Sequence, residues 1–157
     1  MPKLFRRIFH KPKLDFRTAV AVALLPGVML MVVQEVFLLS RLYEWYFPQM
    51  DILMHILGGA TVAWAAFALM HYGIVAKRLS KPPFYFALLA AVGAAAVVGI
   101  LWELYEYFHD FFKHAVEYQL GTDDTMKDLA NDLLGGLLAQ AHPAWPARRQ
   151  TGGLRCA

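Results

Sequence analysis

The chain has 157 residues, 59% hydrophobic and only 17% charged, with a formal net charge of +3 and a single cysteine, Cys156. A soluble domain carries about 45–50% apolar and about 25% charged residues, so this composition argues against one and makes lipid the expected solvent. One cysteine excludes an intramolecular disulfide, the net charge says little by its sign, and no nucleic-acid partner is expected.

Residues 1–17 are basic and contain no apolar core of their own. No small-residue cleavage pattern follows the first long apolar run, so that run is expected to be a retained span rather than a signal peptide. The stretch Leu4-Phe5-Arg6-Arg7-Ile8-Phe9 has the pattern of a short interfacial segment drawn to anionic lipid, although a topology signal accounts for it by charge alone. No internal repeat or low-complexity segment is present.

A membrane helix needs about 20 mostly apolar residues. The first expected span runs from Thr18 to Leu39, with Pro26-Gly27 predicting a kink near its middle. The second runs from Asp51 to Tyr72, after Pro48, and the third from Phe84 to Phe108, after Pro82-Pro83. The fourth, from Thr125 to Ala141, is the shortest and most polar; Asp123 or Asp124 would cap it, and His142-Pro143 ends it.

Lys and Arg set the orientation. Lys3, Arg6, Arg7, Lys11, Lys13 and Arg17 precede the first span, Lys77, Arg78 and Lys81 follow the second, and Arg148, Arg149 and Arg155 follow the fourth. Only Arg41, Lys113 and Lys127 fall on the other side, so twelve of the fifteen basic residues share one side. The expected fold is an all-α integral membrane bundle of four transmembrane helices with both termini cytoplasmic. It comprises a basic cytoplasmic segment (1–17), a transmembrane domain (18–142) and a cytoplasmic tail (143–157). The loops around Tyr43–Met50 and His109–Asp124 would face outward.

This orientation, derived from the cations alone, carries ten ionisable groups to the outer ends of the spans: Glu35, Asp51, His55, Glu103, Glu106, Asp110, Asp123, Asp124, Asp128 and Asp132. A charge inside a bilayer helix costs at least about 2.5–3.5 kcal/mol on insertion scales, so such groups mark a functional site. Asp51 and His55 are i,i+4 and share a face. Glu103, Glu106 and Asp110 form one stripe, and Asp124, Asp128 and Asp132 another, with Asn131 on its flank. The deepest should lie roughly 6–12 Å below the outer interface. Gly58-Gly59, Gly93, Gly99 and Gly135-Gly136 would let the helices approach closely. The pocket is expected to be lined by Asp51, His55, Glu103, Glu106, Asp128 and Asp132, with Glu35, Asp124 and Asn131 secondary. Asp110, Glu117, Asp123 and Asp124 also fit ordinary solvated loop charges.

So many carboxylates need protons, basic partners or a bound cation. Oxygen ligands suit a hard divalent cation, and His55 extends the set toward zinc or manganese, with Glu103, Glu106, Asp128 and Asp132 as the other candidate ligands. The order of the motifs resembles the VanZ-like family of small bacterial membrane proteins. Asp51-Ile52-Leu53-Met54-His55 looks like its aspartate–histidine opening of a span. Trp102-Glu103-Leu104-Tyr105-Glu106 looks like its glutamate motif, and Asp128 to Gly136 like its closing aspartate–asparagine–glycine span. The YjdF-like membrane proteins have a similar succession. The resemblance covers roughly residues 50–139 and implies a multi-pass bacterial plasma-membrane protein of the cell envelope.

Three classes of function fit these residues. The first is a site for a cation, an envelope molecule or a lipid-linked molecule, with or without chemistry. If chemistry occurs, a metal-activated water is expected, because no serine lies in the outer pocket and Cys156 is at the wrong end. The second is cation or proton transport, against which stands the lack of acids in the inner half of every span. The third is a partner-binding role. The aromatics Tyr43, Trp45, Tyr46, Phe47, Trp102, Tyr105, Tyr107, Phe108, Phe111 and Phe112 read mainly as an interfacial belt.

Overall fold

The computed structural model describes residues 15–40, 49–113 and 121–140. Four helices form in chain order: α1 (Phe16–Leu39), α2 (Gln49–Val75), α3 (Phe84–Lys113) and α4 (Thr122–Gln140), with no strand among the described residues. The basic segment at Leu4–Phe9, the aromatics Tyr43–Phe47, Glu117 and the tail 143–157 lie outside the described residues. The segments Phe16–Phe37, Gln49–Val75 and Phe84–Phe108 are long and apolar enough to cross a membrane; α4 is not among them.

Two boundaries differ from expectation for physical reasons. Hydropathy marks where the bilayer ends, not where the helix ends, so α3 continues past Phe108 to Lys113. At α4, Gly121 takes a φ of 105° and its carbonyl accepts the amides of Asp124 and Thr125, both at 3.1 Å. Asp123 and Asp124 therefore sit inside the first turn rather than capping it, where the positive end of the helix dipole favours their charge. At Pro26, α1 stays helical throughout.

Asp15 caps α1, its Oδ1 accepting the Thr18 amide at 2.8 Å. Side-chain and backbone hydrogen bonds from Thr18 hold its carboxyl below the usual aspartate value. The cap is therefore complete above the ordinary aspartate range and is lost as pH falls through the lowered value. Asp15→Ala should speed amide exchange in the first turn of α1 at neutral pH; unchanged exchange would refute the cap.

The bundle is inside-out relative to a soluble protein. Its buried hydrophobic residues are Ala19, Ala23, Ala63, Phe67, Ala68, Ala87, Ala91 and Ala95, while Leu24, Leu25, Val28, Met29, Val32, Leu89 and Leu101 are among the large residues exposed. Lipid rewards an apolar exterior and gives no hydrophobic drive between helices, so small residues that permit close van der Waals contact take the interior. On α2 the buried row is Asp51, His55, Gly59, Ala63, Phe67 and His71, every fourth residue. On α3 it is Ala87, Ala91, Ala95, Gly99 and Glu103, again every fourth. On α4 the buried residues are Asp128, Asp132, Gly135 and Gly136.

Helix α2 is the hub, packing against all three others, and α3 also packs on α4. The closest pairing is α2 with α4. They run parallel in constant register: His55 meets Asp132 and Ala63 meets Gln140, both separated by 77 residues. Helix α1 packs on α2 around Ala23 and Ala68, and its contacts with α3 and α4 are sparse.

Candidate functional site

The three rows of small residues all end in ionisable ones at the same end of the bundle. This end is made by the starts of α2 and α4 and the later turns of α1 and α3. Asp51, His55, Glu103, Glu106, Asp128 and Asp132 are all buried there, none more than 7% exposed. His55 is central. Its Nδ1 lies 3.4 Å from Asp132 Oδ2. Its Nε2 lies 3.8 Å from Asp51 Oδ1 and 3.9 Å from Glu103 Oε1. One ligand atom from each of Asp51, His55 and Asp128 falls within 4.8 Å of the others, and the same holds for His55, Glu103 and Glu106.

Glycines make room for this cluster. A Cβ on Gly99 would collide with Asp132 Oδ2, and a Cβ on Gly59 would strike the backbone of Asp132. Gly58 lies beside the same carboxylate, with 3.8 Å from its would-be Cβ to Oδ1. Asp132 is thus held among three glycines and can reach His55 from α4.

The cluster opens into a cavity of about 230 Å³ between α1, α2 and α3, with Asp132 of α4 closing one side. Asp51, His55, Glu106 and Asp132 line it, as do Gln34, Thr61 and Trp102. The Trp102 indole donates to Glu106 Oε1 at 2.8 Å, and the Thr61 hydroxyl donates to the Gly58 carbonyl at 2.9 Å. Sequence reasoning placed Trp102 in the interfacial belt and missed this pairing, for which its i,i+4 spacing to Glu106 was the available signal; the roles of Gln34 and Thr61 carried no such signal.

The secondary candidates divide. Glu35 is exposed and does not line the cavity, whereas its neighbour Gln34 does. Successive helical residues differ by about 100° in direction, so the cavity accepts one of the pair and excludes the other. Asp124 is half-buried and pairs with Lys127; Asn131 is half-buried and does not line the cavity. Asp123 is exposed. Asp110 belongs to α3, and its side chain lies outside the described set. Sequence reasoning missed His71, which is buried at the far end of the α2 row.

Five buried carboxylates surround one imidazole, and no Lys or Arg is buried among the described residues. Two like charges about 4 Å apart repel by about 4 kcal/mol at an effective dielectric of about 20. The cluster therefore requires protons or an added cation. Asp51 Oδ2 and Asp128 Oδ1 are buried with no hydrogen-bond partner among the described residues. Two oxygen or nitrogen ligands on one zinc ion are at most about 4.2 Å apart. The 3.8 and 3.9 Å separations around His55 Nε2 meet that limit.

Residues 4–148 match the sequence model of a family described as predicted membrane protein DUF2238. No curated protein and no solved structure matches the chain.

Proposed function

We propose, on the premise that this chain belongs to the DUF2238 family of predicted membrane proteins, that it is a multi-pass plasma-membrane protein whose acidic pocket binds a divalent cation at the outer face. The observation that carries this reading is the position of the His55 ring. Asp132, 3.4 Å from Nδ1, supports the tautomer with the proton on Nδ1, which would leave the Nε2 lone pair for a ligand, and Asp51 and Glu103 lie 3.8 and 3.9 Å from Nε2. Metal-binding histidines are regularly oriented by a carboxylate on the second nitrogen in this way. A set of one imidazole with several carboxylates suits zinc or manganese. His55, Asp51, Glu103, Glu106 and Asp128 are the proposed ligand pool, and Asp132 orients His55.

The outward orientation rests on the lopsided distribution of Lys and Arg, which favours cytoplasmic termini. It requires α4 to be the fourth span, with its acids satisfied by α2 rather than by lipid. The VanZ-like and YjdF-like resemblance of residues 50–139 supports a bacterial cell-envelope setting. The cavity beside the cluster favours a second reading: a metal-dependent enzyme acting on a lipid-linked or envelope molecule. In that case His55, Asp51, Glu103 and Asp128 would hold a metal that would supply an activated water, and Glu106, which lines the cavity, would be left free to exchange the proton.

Elemental analysis of purified protein after exposure to zinc or manganese tests the cation reading. Wild type should retain stoichiometric metal, and Glu103→Ala or Asp128→Ala should lose most of it; a metal-free wild type would overturn the reading. Orientation is tested on a Cys156→Ser background. Glu117→Cys should react with an impermeant thiol reagent added outside intact cells, and Arg78→Cys should not; the reverse pattern would refute the outward-facing pocket.

A further inference from the structure

We propose that the same pocket takes a single-chain amphiphile with an ammonium headgroup, drawn in sideways from the membrane between α1 and α3. The proposal rests on the acidic-pocket reading but does not require a metal to be bound.

The cavity has two kinds of wall. Leu30 and Met31 of α1, Met54 and Val62 of α2 and Val98 of α3 make one part apolar. Asp51, Glu106 and Asp132 make the other part anionic, and no Lys or Arg among the described residues lines it. An anionic headgroup would be repelled, whereas an ammonium would relieve the repulsion among the carboxylates. Two further features fit a cation. Asp51 Oδ2 is buried without a hydrogen-bond partner among the described residues. Trp102 lies in the wall with its indole N–H anchored on Glu106, and its ring face is the strongest aromatic partner for an organic cation.

The sideways entry follows from the packing. Helix α1 rests on α2 and its contacts with α3 are sparse, yet Leu30 and Met31 of α1 and Val98 of α3 line the same cavity, and Met31 and Val98 are also exposed on the bundle surface. The volume of about 230 Å³ is below the roughly 300–1,000 Å³ of a pocket that encloses a drug-sized ligand. It suits a headgroup and the first methylenes, with the rest of the chain left in the bilayer.

The test uses the full chain in lipid nanodiscs and a twelve-carbon alkylammonium probe with a diazirine near its headgroup. Photolabelling should map to the α1 segment 27–34 and the α3 segment 95–102. Excess dodecylammonium should compete, and neither dodecyl phosphate nor butylammonium should. Glu106→Gln should reduce the labelling about tenfold through loss of a charge-assisted contact. Val98→Trp, which fills the cavity from the other side, should reduce it as well. Labelling spread over exposed positions such as Leu89 and Val36, competition by dodecyl phosphate, or labelling indifferent to both substitutions would overturn the proposal. Metal content measured on the same samples separates the two readings. Metal without pocket labelling refutes the amphiphile alone, and pocket labelling without metal refutes the divalent cation alone.

Discussion

Replacing His55 with alanine is expected to abolish stoichiometric zinc or manganese binding, because His55 belongs to both groups of three that bring ligand atoms within 4.8 Å. No other described residue is common to the two. Removing Glu103 or Asp128 breaks one of these groups and loses most of the metal, whereas removing the imidazole breaks both. Asp132→Asn is the finer variant. Asparagine keeps the shape and can still accept the Nδ1 proton, but it removes the charge that makes His55 a stronger donor. Losing such a partner typically costs 10–100-fold in metal affinity, and that is the expected drop by equilibrium dialysis. Glu35→Gln, on an exposed site of α1, should leave affinity unchanged. Metal that binds the folded state alone also raises stability, by about 2.7 kcal/mol at a hundredfold excess over Kd. Chelation should therefore lower the thermal midpoint of wild type but not of His55→Ala. Equal metal retention by wild type and His55→Ala would remove the imidazole from the site.

How much of this arrangement was legible beforehand depends on the helix. On α2 and α4, ionisable and small residues recur every four positions, and that spacing alone puts Asp51 with His55 and Asp128 with Asp132. The buried rows follow this pattern. Helix α1 offered no such guide, because its lipid-facing and protein-facing sides are both apolar. Glu35 stands out in this span by its charge, but the cavity is lined by Gly27, Leu30 and Gln34 instead. The constant 77-residue register between α2 and α4 was equally hidden, since periodicity within a helix does not identify its neighbour. Without that register, the contact of Asp132 with His55 Nδ1 could not be told from contact with Nε2. That distinction decides which nitrogen is left for a ligand.

The second large effect concerns the contact that sets this register. Gly59→Ala is expected to destabilise the bundle by roughly 1–3 kcal/mol, the usual range for overpacking. A Cβ at Gly59 would lie 2.8 Å from Asp132 Cα and would overlap the Asp132 carbonyl oxygen. The contact is reciprocal: a Cβ at Gly135 would overlap the Ile56 carbonyl oxygen. Each glycine Cα–H thus points at a carbonyl of the facing helix, a weak hydrogen bond that recurs where helices cross closely. Both neighbours are helical backbone, so neither can swing aside as a flexible side chain would. The helices must separate, and because His55 and Asp132 flank this crossing, their contact opens with it. Gly59→Ala should therefore lose metal affinity although alanine touches no ligand. Gly93→Ala is the control, since nothing lies within 4 Å of its Cβ position; it should be neutral or slightly stabilising through better helix propensity. Unfolding in mixed detergent micelles, followed by helicity and paired with metal dialysis, reads both effects. If Gly59→Ala matched wild type in stability and metal affinity, α2 and α4 would not cross at Gly59. The His55–Asp132 contact, which depends on that crossing, would fall with it.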